Sequence, residues 1–239
     1  MSGDGDAVEG SDLRSSRGPV LYVAGVDGDE PTVADDDLHH LRRVLRLRDG
    51  ADVVLCDGAG AWRRAVLGAS VRPTGPVCRE AAPPHRVRIC MPVVKGDRTE
   101  WAVQKATECG VDDLQLLLVD RSVVTWAADK VQRNVERLDR IARAAAAQSR
   151  RAFLPVVHGP IPFADAVRLE GAALAAPGGV AVDAGVRCLI VGPEGGFSDA
   201  ELGCGLPTVT LGAHVLRVET AAVVGAAMLS LARSATQRG

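Results

Sequence analysis

The stretch Cys188-Leu-Ile-Val-Gly-Pro-Glu-Gly-Gly-Phe-Ser-Asp-Ala-Glu-Leu202 carries the strongest fold signal in this 239-residue chain. Its apolar run, Cys188–Val191, ends abruptly at Gly192-Pro193, a pattern typical of a buried strand that enters a loop. The glycines of that loop let its backbone turn freely and approach a ligand closely. The stretch therefore predicts a strand followed by a ligand-binding loop.

A second strand that ends at a glycine follows shortly afterwards. The run Val209–Leu211 stops at Gly212, and the loop beyond it carries polar side chains at His214, Arg217, Glu219 and Thr220. Ser198 and Glu201 have the spacing of a capping box, which predicts a helix that begins at Ser198. A helix of small residues is predicted from about Ala221. Two glycine-ended strands so close in sequence indicate one pocket at the edge of a sheet.

This predicted pocket does not match the common phosphate sites. A Walker loop needs Gly-Lys-Ser/Thr after its glycines, and the sequence has none here. The dinucleotide fingerprint needs G-x-G-x-x-G, a spacing that Gly192, Gly195 and Gly196 do not have. Glu194 also places a negative charge inside the loop. These features favour a neutral or cationic ligand.

The paired motifs GPEGGFSDAEL and LGAHVLRVETA resemble the cofactor-binding end of the RsmE family, the 16S rRNA uridine-N3 methyltransferases of the knotted SPOUT class. The resemblance implies an α/β domain whose C-terminal trefoil knot holds S-adenosyl-L-methionine, and it implies no metal. The implied cofactor contacts lie in the two loops, at Ile190, Val191, Gly192, Pro193, Glu194, Gly195, Gly196, Leu211, Gly212, Val215 and Leu216.

The composition argues against several other classes of protein. A hydrophobic content of 47% supports a real core, and we find no apolar run near 18 residues, so no membrane span is predicted. The acidic N-terminus is unlike a signal peptide. Six scattered cysteines without a C-x-x-C pair favour buried thiols in a reducing cytosol over a metal site. The net charge of −2 restricts any RNA contact to local patches.

Strand and turn signals divide the chain into four parts. Residues 1–18 are polar and acidic and are predicted to be a disordered tail. Short strands separated by glycine turns predict a small β-barrel-like module over 19–72, which the resemblance identifies as PUA-like. The proline-rich segment 73–85 is predicted to be a linker. Strand, helix and strand over Arg86–Val94, Asp97–Cys109 and Leu114–Val119 place a parallel α/β domain at 86–239.

Two sets of basic residues are candidates for RNA contact. The first lies on an amphipathic segment that resembles part of the PUA-like module, at Arg42, Arg43 and Arg46. The second lies in the α/β domain, at Lys95, Arg98, Gln148, Arg150 and Arg151. A helix predicted over 130–151 carries seven positive charges against two negative ones, which favours an RNA-facing surface over an ordinary solvated face. Ala144 and Ala147 stand where the family often has glutamates.

The loop after Gly212 offers candidate catalytic residues. Removal of the N3 proton spreads negative charge onto O2 and O4 of uracil, and a fixed cation such as Arg217 would stabilise that charge. Glu219 is a candidate proton acceptor or a partner that orients Arg217. Thr220 is a candidate hydrogen-bonding residue or a helix cap.

The sequence leaves three functions open. The resemblance favours a cytoplasmic, homodimeric methyltransferase that acts on 16S rRNA in the small ribosomal subunit. A SPOUT enzyme with another target atom and a non-catalytic RNA-binding protein remain the alternatives.

Overall fold

The computed structural model describes residues 8–9 and 12–236. The chain divides into two compact units. The first comprises Met1–Ala82 with Ala146–Leu154, and the second comprises Pro83–Ala145 with Pro155–Gly239. The boundary after Ala82 lies inside the segment predicted as a linker, whereas the return of Ala146–Leu154 to the first unit was not predicted.

The first unit is built on a mixed six-stranded sheet. Its strands pair in the order β1-β6-β4-β3-β2, and β5 pairs with β4. Their bounds are β1 Val8–Glu9, β2 Val20–Tyr22, β3 Asp52–Cys56, β4 Ala61–Leu67, β5 Val71–Pro73 and β6 Cys78–Arg79. Helix α1, Asp35–His39, continues directly into a π-helical turn at His40–Val44.

Both faces of this sheet are covered by apolar side chains. Val53 and Leu55 of β3 pack with Leu41 on one face, whereas Val54 and Cys56 pack with Leu13 on the other. This division follows from the two-residue period of a strand, which sends successive side chains to opposite faces. Two faces must therefore be covered, and elements from distant parts of the sequence supply the cover.

The prediction of a disordered tail over 1–18 is wrong for residues 12–18. Leu13–Ser15 forms a 3-10 helix that Asp12 caps, and Leu13 is fully buried. Burial of this leucine contributes to the free energy needed to order the polar residues around it. Residues 1–7, 10 and 11 lie outside the described residues, and the backbone of Val8–Glu9 pairs with β6. The predicted linker 73–85 likewise contains β6, which pairs with β4.

The segment Ala146–Leu154 completes the face that contains Leu13. Ala146 and Ala152 are buried there, with Phe153 and Leu154 packed against the same cluster. The hydroxyl of Tyr22 donates to the carbonyl oxygen of Arg151 at 2.7 Å. The basic end of the helix predicted over 130–151 thus has a structural role in the first unit.

The second unit is an α/β structure with a six-stranded parallel sheet. The strands pair in the order β12-β10-β11-β7-β8-β9, and all five pairings are parallel. Their bounds are β7 Arg88–Pro92, β8 Asp113–Leu118, β9 Val156–Pro162, β10 Ala172–Val180, β11 Cys188–Ile190 and β12 Thr208–Val209. The helices are α2 Arg98–Glu108, α3 Ala128–Gln148, α4 Phe163–Ala166, α5 Asp199–Leu202 and α6 Val218–Thr236.

Apolar side chains alternate between the two faces of the parallel sheet. Ile89 and Met91 of β7 join a cluster with residues of α2, α3 and α6, whereas Cys90 joins the opposite cluster, which includes Leu174 and Phe197. A parallel sheet covered on both faces needs nearly continuous apolar strands, as β7 and β8 have.

A charged network lies at the amino edge of this sheet. Asp113, only 5% exposed, accepts a hydrogen bond from Arg86 at 2.7 Å, and His158 Nε2 lies 2.7 Å from its other oxygen. Burial alone would raise the pKa of this carboxyl, but its bonds to Arg86 and His158 outweigh burial and lower the pKa. Its stabilising effect is therefore present at neutral pH and is lost as the pH falls through the lowered pKa.

The C-terminal helix is a core helix by its contacts. Val218–Ala235 is long and apolar enough to cross a membrane by length and composition. However, its residues Ala222, Ala226 and Leu229 are buried in the cluster that also holds α2. Its small residues therefore allow close packing within the chain itself. The helix begins at Val218, three residues before the predicted start.

Candidate active site

Four loops meet at the carboxyl edge of the parallel sheet. They follow β7, β8, β11 and β12, and they include Val93–Asp97, Val119–Arg121, Val191–Phe197 and Thr210–Arg217. In an open parallel sheet, ligands bind at this edge, where the carboxyl ends of the strands meet. The structure thus brings the ends of the two glycine-ended strands together with the end of β7. The residues that follow β7 include Lys95 and Arg98, both predicted to contact RNA.

Helix α5 fixes the end of the loop after β11. Ser198 caps the helix, and the Glu201 carboxylate accepts from the Ser198 backbone N–H at 2.7 Å, which completes the predicted capping box. The same carboxylate accepts from the Asp120 N–H at 3.1 Å, and the Ser198 hydroxyl donates to Asp120 at 2.9 Å. The buried Glu201 therefore ties the loop after β8 to the loop after β11.

Arg121 holds the middle of the loop after β11. One guanidinium nitrogen donates to the carbonyl oxygens of Gly195 and Phe197, at 3.2 Å each. Phe197 is buried and packs against Phe163, with ring centroids 5.8 Å apart. These contacts order a loop whose own sequence has little to anchor it.

Arg98 lies between two carboxylates. Its guanidinium is 3.4 Å from Glu194 in the loop after β11 and 3.6 Å from Glu219 at the start of α6. Its Nε also donates to the Lys95 carbonyl oxygen at 3.1 Å. Arg98 therefore joins the loop after β7, the loop after β11 and the start of α6 through one hydrogen bond and two ion pairs.

Glu219 is a second buried acidic group of the site. The residue is 7% exposed, and Oε1 faces Arg98, whereas Oε2 is buried and has no hydrogen-bond partner among the described residues. Leaving such an oxygen unsatisfied costs about 1–3 kcal/mol, so its presence at a loop junction points to a ligand. The alternative in which Glu219 orients Arg217 does not match this geometry, because the ion pair is made with Arg98.

The backbone of the two glycine loops is open to a ligand. Gly196 and Gly212 have φ of +71° and +132°, and no atom lies within 4 Å of the position that a Cβ would take at either residue. Leu211 and Leu216 pack partly against the core, and Ile190 is buried. By contrast, Val215 is 91% exposed. This arrangement of free backbone and apolar side chains fits an adenosine-type cofactor with an amino-acid end.

Arg217 and Thr220 differ in their surroundings. Arg217 is exposed, and no partner for its guanidinium is present among residues 8–9 and 12–236. Thr220 lies inside the first turn of α6, which begins at Val218, so the helix-cap interpretation of Thr220 is wrong.

Apart from Lys95 and Arg98, the residues predicted to contact RNA fall into three groups. Arg43 lies in the π-helical turn and Arg46 follows it, and both are exposed, whereas Arg42 donates to Gly68 and pairs with Asp49 at 3.2 Å. Gln148 is exposed at the end of α3, and Arg151 is half-buried in the next turn. Arg150 instead donates to Ser16 at 2.9 Å and to the Gly18 carbonyl oxygen at 2.8 Å, so its guanidinium is engaged within the first unit.

Sequence reasoning missed the ionic role of Arg98 and the anchoring roles of Arg121 and Glu201. The available signal was their position, since Arg98 and Arg121 each follow a predicted strand of the parallel sheet. In the described part of the chain, no three His, Cys, Asp or Glu side chains form a cluster able to hold a metal.

Comparison with known proteins agrees with this architecture. A family model described as an RNA methyltransferase domain matches residues 81–230, and one described as an RNA methyltransferase PUA domain matches 33–70. Fold and site therefore define a two-domain RNA methyltransferase.

Characterised relatives narrow this class. The chain is 34% identical to ribosomal RNA small subunit methyltransferase E of Mycobacterium bovis, over 84% of each chain, and 30% identical to the protein of that name from Synechocystis, over 83% of this chain and 72% of the other. The protein belongs to the RsmE family.

The fold is shared with a solved member of the family. Ribosomal RNA small subunit methyltransferase E from Neisseria gonorrhoeae, crystallised with S-adenosyl methionine, superimposes with a TM-score of 0.73 at 24% identity, over 89% of this chain and 97% of that one. The fold class expected from the resemblance, an α/β methyltransferase domain of SPOUT type preceded by a PUA-type module, is confirmed.

Proposed function

We propose that this protein transfers a methyl group from S-adenosyl-L-methionine to N3 of a uridine in 16S rRNA. The observation that carries the proposal is the buried, unpartnered Oε2 of Glu219, placed by Arg98 beside the two glycine loops. A non-catalytic RNA-binding protein has no use for a buried proton acceptor at a cofactor loop. The RsmE names of the relatives support the substrate.

The two glycine loops would hold the cofactor. The backbone of residues 190–196 and 211–216 offers amides and carbonyls to the adenine and to the amino-acid end, while Ile190, Leu211 and Leu216 flank the ring. Glu194 places a carboxylate near the positive charge of the ligand, in agreement with the preference for a cationic ligand inferred from the sequence. When bound, S-adenosylmethionine supplies a methyl group on a sulfonium, which needs no covalent intermediate with the protein.

Two side chains would act on the acceptor base. Glu219 accepts the N3 proton at Oε2, the oxygen that has no other partner. Arg217, whose guanidinium is exposed, stabilises the negative charge that spreads onto O2 and O4. Arg98 holds Glu219 and Glu194 in place and balances their charge. Thr220, the residue after Glu219, is proposed as a hydrogen-bonding partner of the base.

The domain roles follow the same proposal. The module at 19–72 would bind RNA through Arg42, Arg43 and Arg46, and the domain that begins near residue 86 would bind cofactor and carry out the reaction. A protein with this substrate would work in the cytoplasm.

We also propose a homodimer. Trp101 on α2 and Leu231 on α6 are 43% and 67% exposed, and the two helices pack side by side. A second copy would cover these apolar side chains. Sedimentation at several concentrations measures the association, and a monomer at micromolar protein would contradict it.

The proposed reaction can be tested with purified components. The protein is incubated with methyl-labelled S-adenosylmethionine and either 16S rRNA or small ribosomal subunits, and the RNA is digested to nucleosides for mass spectrometry. We expect label in N3-methyluridine. Label in another nucleoside would indicate a different target atom, and RNA binding without transfer would indicate a non-catalytic protein. Either result overturns the proposal.

A further inference from the structure

We propose that the second unit contains a binding site for an unpaired nucleotide of the RNA substrate, separate from the cofactor loops. This inference rests on the proposed function for the identity of the RNA. The site combines a small cavity beside the Lys95 loop with a row of cations along α3.

The cavity has the size and lining of a site for a single base. Its volume is about 210 Å³, below the about 300–1,000 Å³ of pockets that hold drug-sized ligands. Its apolar wall consists of Val93, Val94, Val124, Trp126 and Leu138, and its polar rim includes Lys95, Thr99, Asn134, and Arg137 paired with Glu100. An aromatic side chain in an apolar wall beside a basic side chain such as Lys95 is the usual means of holding an unstacked base.

The cations lie on one side of α3 and continue from this cavity. Lys130, Arg133, Arg137 and Arg140 are spaced three, four and three residues apart, which places them on one face of the helix. They line a second cavity of about 330 Å³, and Asn134 and Arg137 line both cavities. The row spans about 15 Å at the helical rise of 1.5 Å per residue.

Most of the positive charge of this face has no ion-pair partner among the described residues. Arg137 pairs with Glu100, but no ion pair is present for Lys130, Arg133 or Arg140 in the described part of the chain. All four side chains are exposed. A helix face with this excess of positive charge is suited to a phosphodiester backbone, whereas the net charge of the whole chain is −2.

The position of the cavity connects it to the reaction site. Lys95, Gly96 and Thr99 line the cavity, and Arg98 of the same loop pairs with Glu194 and Glu219. A strand of RNA that places its uridine at Glu219 would therefore bring a nearby nucleotide to Trp126. We assign the cavity to the base of that nucleotide and the α3 face to its flanking phosphates.

Two variants test the two halves of this site. Arg133→Gln combined with Arg140→Gln removes two exposed charges. The control Arg187→Gln removes a half-buried arginine, paired with Glu170, at the opposite, amino edge of the sheet. Trp126→Ala removes the aromatic wall, and Trp126→Phe keeps a ring. Binding of transcribed 16S rRNA is measured by fluorescence anisotropy over a range of salt, and binding of S-adenosylmethionine by calorimetry.

We expect the double variant to flatten the salt dependence of RNA binding by about 1.4 units of slope, because each single-strand phosphate contact contributes about 0.7. Trp126→Ala should weaken RNA binding about five- to 100-fold, and Trp126→Phe should restore most of it. Cofactor affinity should not change in these variants, and RNA binding should not change in the Arg187→Gln control.

Unchanged RNA affinity and slope in both variants would overturn the site, even if wild-type protein methylates rRNA normally. A site that binds RNA as expected without methylation would overturn only the proposed reaction.

Discussion

Arg98 and Arg217 offer two cations to one reaction, and their surroundings differ. Arg98 is held between Glu194 and Glu219, so its charge is already shared with protein carboxylates. Arg217 is exposed and has no partner among the described residues, so its guanidinium is available to a substrate. The sequence predicted Arg217 as the catalytic cation and Arg98 as an RNA contact, but it could not show which arginine is engaged by acids elsewhere in the chain.

This difference gives a prediction for the two arginines. Arg217→Ala should lower turnover about 100- to 1,000-fold, comparable to the loss of one oxyanion donor, with little change in cofactor affinity. Higher pH should partly restore the rate of Arg217→Ala, because more uracil is already ionised at N3.

Arg98→Ala should weaken cofactor binding and turnover together, because Glu194 and Glu219 lose their shared partner. Calorimetry and steady-state kinetics separate the effects, and loss of cofactor binding in Arg217→Ala would make Arg217 a structural residue.

At the scale of elements, strong local signals were sufficient to predict much of the second unit. The apolar runs of β7 and β8 and the capping box at Ser198 predicted those elements within a few residues. Residues 158–187 could not be assigned, because seven of the nine residues of β10 are alanine, glycine or proline, which have little intrinsic strand preference. Its pairing with β11 and β12 makes it a strand.

In the first unit, local sequence signals were not sufficient to predict which segments are ordered. The polar tail before Gly18 was predicted to be disordered because Leu13 alone does not indicate a core. Its burial depends on Val54 and Cys56 of β3, and on Ala146 from a distant helix. Contacts of such long range in sequence leave no periodic pattern, so neither the order of the tail nor the return of Ala146–Leu154 was predictable.

The start of β2 permits a matched test of backbone packing. Gly18 and Gly50 have nearly the same φ, +84° and +89°. A Cβ added at Gly18 would lie 2.0 Å from the Asp52 carbonyl oxygen, whereas a Cβ added at Gly50 would have no non-neighbouring atom within 4 Å. Gly50→Ala should therefore cost only the left-handed strain, about 1–2 kcal/mol.

Gly18→Ala should cost more, because β2 and β3 must move apart and the bond from Arg150 to the Gly18 carbonyl is disturbed. Chemical denaturation of the two variants measures the difference in the free energy of unfolding. Equal values would show that the contact between Gly18 and β3 is looser than described.

The whole molecule contains a β module and a parallel α/β unit, and Arg98 joins the elements at the reaction edge of that unit. The resemblance of a few short motifs was enough to predict this architecture and its cofactor. What it could not provide was the arrangement around Glu219, since that depends on residues brought together from α2, the loop after β11 and α6.

The most direct measurement is the N3-methyluridine content of 16S rRNA in three strains. One lacks the gene, one has it restored, and one carries Glu219→Gln, which keeps the size of the side chain but removes its ability to accept the proton as a carboxylate. We expect the modification to be lost in the first strain, to return in the second and to stay absent in the third, although the variant protein is folded. Persistence of N3-methyluridine without the gene, or full restoration by Glu219→Gln, would contradict this expectation.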